Sequence, residues 1–275
     1  MKISGKGNET YLYINGLKAH KNIKLSSNVE LLPATCSPEP DDIIKVSKNE
    51  VDLGLTTIFL RQVTSQLKIT GKDSKELATL AWNSVWDAIL LSSILNCNAS
   101  CNLQCDKPAQ DFDSSSLLSV TNYHMRGLTP EPYEITDEDE NWIKTNFSNT
   151  QELLNNKSFQ NAVHSMASFR WHSLPRARLA LIWSGIEGLF EIQSEIVFRL
   201  SLYIAYYLEP DDEIQRKELF VSIKTLYKHR SAAVHGSKIK GKPNDLVTES
   251  AELLNRLIRK CIETKSLPNT ENLVI

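Results

Sequence analysis

Residues 217–236 read KELFVSIKTLYKHRSAAVHG, and the reading of this stretch decides what kind of chain this is. Leu219, Phe220, Ile223, Leu226 and Tyr227 recur three and four residues apart, the spacing that lines one side of an α-helix. That helix is expected over 212–235, because Gly236 stands where a helix C-terminus takes glycine. Arg230 follows Ile223 by seven residues and Tyr227 by three, so it falls on the packed stripe. A guanidinium there requires an anion, a carboxylate or a second protein surface. His235 lies about 140° farther round an ideal helix, at about 100° per residue. One straight helix therefore cannot aim both side chains at one point. They converge if the helix opens near Ala233, or if a twofold-related copy brings its own pair across an interface.

Outward from this stretch the chain reads as helix after helix. Toward the N-terminus, Ile196, Val197, Leu200, Ile204, Tyr207 and Leu208 share a side of one helix that stops at Glu209-Pro210. Before it, Pro175 opens a helix burying Leu179, Ile182, Trp183, Ile186, Leu189 and Phe190. A helix through Phe159, Ala162, Val163, Met166 and Phe169 precedes that, and the helical run starts at Thr136. Thr136 caps and Asp139 takes the third position, with Asp137 to Glu140 complementing the positive end of the macrodipole. Beyond the basic loop GSKIKGKP, a last helix presents Val247, Ala251, Leu254, Leu257, Ile258 and Cys261.

The first part of the chain has a different texture. TYLYI, NIKL, IIKV and TTIFLRQVTSQLKIT are rich in β-branched and aromatic residues and are separated by Asn, Gly, Ser and Pro, so a small sheet is expected up to about residue 70. Asp73 with Glu76 has capping-box spacing, and Leu77, Leu80, Ala81, Ala88, Leu91 and Leu95 continue a helix over 74–96 that packs on the sheet. Residues 97–135 lose periodicity, apart from LLSVTNYHM, a candidate further strand. The fold class expected is an α+β N-terminal domain with a small sheet (1–135), followed by an all-α helical bundle (136–268) and a short tail (269–275).

At 275 residues and a formal net charge of −2, the chain has ample core and no global attraction to nucleic acid or membrane. Any polyanion site must be local. One such concentration exists: Arg216, Lys217, Lys224, Lys228, Arg230, Lys238, Lys240 and Lys242 stand against the single acid Glu218 over 216–242. MKISGKGNET lacks the apolar centre of a signal peptide, and no run of about 18 uncharged apolar residues occurs, so no membrane association and a cytosolic location are expected. The five cysteines are an odd set for a disulfide framework. Cys97, Cys101 and Cys105 recur every four residues and could share one helical side. They lack the second Cys pair or nearby His of a structural zinc site, so neither metal nor cofactor is expected. Phosphate-loop, dinucleotide, zincin and nucleophile-elbow patterns are missing as well. Trp82, Trp86, Trp142, Trp171 and Trp183 fall mostly within apolar periodicity and are expected in the core.

RARLALIWSGIEGLF (176–190), EIVFRLSLYIAYYL (195–208) and KELFVSIKTLYKHRSAAVHG (217–236), in that order and spacing, resemble the HEPN domain in its Apea-like branch. The likeness covers roughly 137–265. Many HEPN proteins are dimeric, metal-independent ribonucleases with an R-x4-6-H motif. The resemblance implies Arg230 and His235 as catalytic residues. It puts Ser231 in the polar position after the arginine, where the commonest motif has Asn, Asp or His. It also implies that two protomers' motifs meet in one site, where the RNA 2′-OH attacks the adjacent phosphate to leave a 2′,3′-cyclic phosphate and a 5′-OH. His235 would transfer protons and Arg230 would hold the scissile phosphate.

Glu187, in SGIEGLF, matches an acidic position of the Apea-like pattern. Two readings of it stay open: orienting Arg230 or His235, or a salt bridge to a helix neighbour. Lys228, Lys238, Lys240 and Lys242 are the candidate RNA contacts. The function so implied is an endoribonuclease acting on tRNA or other single-stranded RNA, as a homodimer, in a bacterial toxin or anti-phage role. The N-terminal domain would then be a sensor, a recruiter of substrate, or the contact for a regulatory or trigger protein. The rival reading is a non-catalytic HEPN module that binds a partner, RNA or nucleotide, with the Arg-His pair stabilising an interface.

Overall fold

The computed structural model describes residues 7–123, 131–192, 195–237 and 242–271. The chain divides into two compact units, Met1–Ser148 and Asn149–Ile275.

In the first unit, β1 (Glu9–Asn15) is the centre of an antiparallel sheet. It pairs on one side with β5 (Val63–Thr70), which is followed outward by β4 (Val29–Pro33) and β3 (Ile23–Lys24), and on the other with β6 (Ser100–Cys105) and then β7 (Ser119–Val120). The register sets Leu12 opposite Leu67 and Gln104. Every residue of β1 from Thr10 onward is buried, as expected of a central strand covered on both faces. Tyr11 and Tyr13 pack with Ile43, Leu55 and Phe59 from α1 (Pro40–Val46) and α2 (Glu50–Leu60). The long α3 (Ser74–Ile94) lies across β1, β5 and β6.

A short parallel pair joins β2 (Leu17–Lys18) to β8 (Tyr133–Glu134), and α4 (Asp137–Asn146) follows. Thr136 and Asp139 form the expected capping box at its start. Although the helical run begins with α4, its ties are to the first unit: Lys21 Nζ reaches Asp137 Oδ1 at 2.8 Å, and the Tyr133 hydroxyl donates to Asp139 at 2.8 Å. The compact units accordingly divide after Ser148.

The β-rich reading of the first part needs two corrections. IIKV belongs to α1, where Pro40 takes the first turn with Asp41 and Asp42, and Lys45 complements the last turn. TTIFL ends α2, capped by the Asn49 side chain accepting from the Asp52 N–H, with Leu55, Thr56, Phe59 and Leu60 buried at helical spacing. A short apolar run does not distinguish strand from buried helix; here the acidic residues and caps before the runs decide it. Conversely, β4 and β6 are strands that the sequence reading passed over. Cys101 and Cys105 therefore sit on a strand and do not share a helical side with Cys97. Trp183 is fully buried as expected, but Trp82 and Trp171 are about half exposed.

Among the described residues α3 is the one helix long and apolar enough to cross a membrane. Leu77, Ala81, Ala88, Leu91 and Ile94 are buried within the unit, which is how a core helix uses such a sequence.

The second unit is all helix: α5 (Thr150–Leu153), α6 (Lys157–Ser168), α7 (Pro175–Phe190), α8 (Ile196–Leu208), α9 (Glu213–Val234) and α10 (Pro243–Thr264). α7 is its axis, packed by α6, α10 and α9. Gly185 makes this possible, since a Cβ there would come within 3.0 Å of Ser165 Cβ and 3.2 Å of Ala162 Cα. Trp183, on the same helix, donates its indole N–H to Ser250 Oγ of α10 at 3.1 Å and meets the Tyr227 ring of α9 edge-on at 5.3 Å.

Candidate functional site at the end of α9

α9 starts on the Asp212 side chain, which accepts from the Ile214 and Gln215 N–H groups, and stays helical through Val234. His235 caps it, its N–H still reaching the Ser231 carbonyl at 3.0 Å, and Gly236 turns the chain at φ +74°. The helix thus does not open at Ala233, the first of the two routes by which Arg230 and His235 could converge. Within one chain His235 is exposed while Arg230 lies half-buried against α7.

Arg230 meets Glu187. Its Nη2 lies 2.9 Å from the carboxylate, and the two side chains are only 20% and 27% exposed. Ile223, Leu226 and Tyr227 are buried, so Arg230 sits on the apolar stripe as its spacing predicts. Its guanidinium also lies 5.4 Å from the centre of the Tyr227 ring. Both carboxylate oxygens face Arg230 Nη2, and Arg230 Nε has no hydrogen-bond partner among the described residues. Burial pushes the Glu187 carboxyl above the usual carboxylate range, against the pull of Arg230 and a weaker contribution from the Tyr227 hydroxyl. The same burial, reinforced by the Glu187 charge, raises the Tyr227 phenol. A charge pair held this far from water gives up much of its Coulombic gain to desolvation, so it is a poor device for stability alone.

The basic patch is less open than its sequence suggests. Arg216 donates to the Glu209 and Pro210 carbonyls at 3.0 and 2.7 Å and stacks over Tyr206. Lys217 pairs with Glu213, and Lys224 lies over Phe220. Lys228 is exposed on α9 and Lys242 is exposed at the start of α10. Lys238 and Lys240 lie outside the described residues. Ser231 is half-buried one residue beyond Arg230, and Tyr227 is core, as expected.

One residue of this region escaped the sequence reading. Arg176, second in α7, donates through Nη1 to the carbonyls of Ala232 (3.3 Å) and Ala233 (3.1 Å) and through Nη2 to that of Ser237 (2.6 Å). The available signal was a charge in the wrong place. The first turn of α7 carries arginines and no acid, against the helix dipole, so a cation there needs a partner on another element.

Among the described residues no group of three or more His, Cys, Asp or Glu side chains is placed to hold a metal ion. In comparisons with protein-family models, curated proteins and solved structures, the chain matches none.

Proposed function

We propose that this chain is a HEPN-type endoribonuclease that cuts tRNA or other single-stranded RNA, working as a homodimer whose two α9 ends complete one site. The observation that carries the reading is the ion pair between Glu187 of α7 and Arg230 of α9, the helix that ends in exposed His235. A guanidinium that stabilises a pentacoordinate phosphorane must be held in place before the charge develops, and a half-buried carboxylate does that. His235, at the accessible end of the same helix, suits proton transfer. One imidazole takes the 2′-OH proton as that oxygen attacks phosphorus, and a protonated one gives a proton to the departing 5′-oxygen. The reaction written this way consumes no metal. The location we infer is the cytosol, and the role a toxin or anti-phage effector, with the first unit sensing a trigger or engaging a regulatory protein.

The test is incubation of the purified protein with total RNA and with tRNA, with product ends mapped. Wild-type protein should leave 2′,3′-cyclic phosphate ends with or without EDTA. Arg230→Ala and His235→Ala should each lower the rate by about 10²-fold or more in protein still folded at the assay temperature, with His235→Ala keeping the wild-type melting temperature and Arg230→Ala lowering it because Glu187 loses its cation. Undiminished cleavage by both variants would refute the assignment. A second reading, a non-catalytic interaction module, is favoured by the fact that Arg230 already spends a donor on Glu187. Its signature in the same assay is RNA retained but uncut by wild-type protein.

A further inference from the structure

We propose that Arg176 is a positioning residue for His235, fixing the turn that carries the histidine from a different helix. The inference rests on the ribonuclease reading for its catalytic half and on geometry alone for its structural half.

A helix leaves its last four carbonyls without partners. At the end of α9 the Ser231 carbonyl is taken by the His235 N–H, and Arg176 takes the next two, those of Ala232 and Ala233. Its other terminal nitrogen reaches past the helix to the carbonyl of Ser237. One planar guanidinium therefore grips the chain on both sides of His235, two residues before it and two after. That geometry is specific to arginine, because a planar fork can serve carbonyls on both sides of a turn and an ammonium cannot do so with the same reach.

The turn needs such a grip. Gly236 sits at φ +74°, and a Cβ built there meets nothing within 4 Å, so its own surroundings do not hold the residue. His235 and Gly236 are exposed, leaving the backbone contacts to fix where the imidazole starts from. The charge arrangement agrees: Arg176 is displaced from the dipole that disfavours it, at the N-terminus of α7, toward the negative end of α9. α7 thus reaches the R-x4-H segment twice, through Glu187 to Arg230 and through Arg176 to the turn around His235.

The experiment compares Arg176→Ala and Arg176→Lys with wild type, each alone and combined with His235→Ala. Amide hydrogen exchange should speed up roughly tenfold at residues 234–237 in Arg176→Ala, with the amides of Trp183 and Ile186 unchanged. In RNA cleavage kcat should fall by about 100-fold with KM within about twofold, and Arg176→Lys should recover part of the loss. In the His235→Ala background the same substitution should cost nothing more, since Arg176 acts through that side chain. If Arg176→Ala fails to fold, Arg176→Lys carries both measurements, with smaller changes of the same kind. Unchanged exchange at 234–237 overturns the grip, and faster exchange with unaltered kcat overturns its role in positioning. An additive loss in the His235→Ala background overturns the claim that it acts through the histidine. Absence of cleavage by wild-type protein instead overturns the ribonuclease reading, and the catalytic half with it.

Discussion

Each unit buries a carboxylate in a helix, and the two are treated differently. Asp87, in α3 of the first unit, has the Ser84 hydroxyl as its side-chain support, and burial pushes its carboxyl up to about 6. Glu187, in α7 of the second unit, is also raised by burial, but Arg230 and Tyr227 pull against the shift. The difference shows what a cation partner does: it opposes the upward push of burial that Asp87 meets with a hydroxyl alone. Elsewhere in the first unit the buried carboxylates Asp52 and Asp139 accept from the hydroxyls of Tyr123 and Tyr133, and several buried neutral polar groups are paired. Thr10 donates to the Cys105 carbonyl and accepts from Gln104, and Gln66 accepts from the Ala109 N–H. The second unit puts its charge pair beside the end of α9, where we place the chemistry.

The largest way to break this comparison is to remove one member of the pair. Glu187→Ala leaves Arg230 half-buried without its carboxylate and should cost about 3 kcal/mol of stability, read from urea unfolding. The double replacement Glu187→Leu with Arg230→Met should recover to within about 1 kcal/mol of wild type, because two apolar side chains avoid both desolvation penalties. RNA cleavage should be lost in single and double variants alike. A double variant as unstable as the single one would mean that the pair holds the bundle together, and the contrast with Asp87 would disappear.

Asp87→Asn should have the opposite sign and a smaller size. With the folded-state carboxyl at about 6 and an ordinary value of 3.8 in the unfolded chain, the folded protein binds more protons between those values. Stability therefore falls as pH rises through that window, and the penalty is complete above it. Replacing the carboxylate by an amide removes the penalty, so the variant should gain up to about 2 kcal/mol at pH 7.5 and nothing at pH 3.5. A loss at pH 7.5 would show that the charged form has support beyond Ser84.

How much of this could be read from the sequence differs between the units for a physical reason. A helix of sixteen or twenty-two residues, such as α7 or α9, repeats its spacing several times and marks its ends with Pro175, Asp212 or Gly236, so the signal checks itself. The runs IIKV and TTIFL are each about one helical turn long and fit strand and helix equally, until Pro40, Asp41 and Asn49 are weighed as helix starts. SCNLQC alternates polar and apolar residues as a strand should, but it is short, and Cys97, Cys101 and Cys105 at four-residue intervals fit a helical side as well. In the candidate site, Arg230 on the packed stripe and His235 at the helix end were legible from spacing, whereas Glu187 was singled out by the resemblance, with its partner left open between Arg230, His235 and a helix neighbour. Arg176 was not, because its partners are backbone carbonyls on another helix, and no side-chain pattern records them.

The smallest expected effect bears most directly on the comparison. Glu187 and Asp87 are raised by the same cause, so both should make stability fall with rising pH above the ordinary carboxylate range. Arg230 opposes the shift of Glu187, so its window should be narrower and its slope shallower than those of Asp87. Glu187→Gln deletes the titration while keeping the shape, and the urea midpoint of wild type and variant followed from pH 3.5 to 7 isolates it. The stability of the variant relative to wild type should rise with pH across that range, by less than it does for Asp87→Asn. A stability difference, variant minus wild type, that falls as pH rises would mean that Arg230 outweighs burial and holds Glu187 below its ordinary value. The pair would then be one that stabilises the bundle, and the argument that the charge is kept for chemistry would lose its energetic basis.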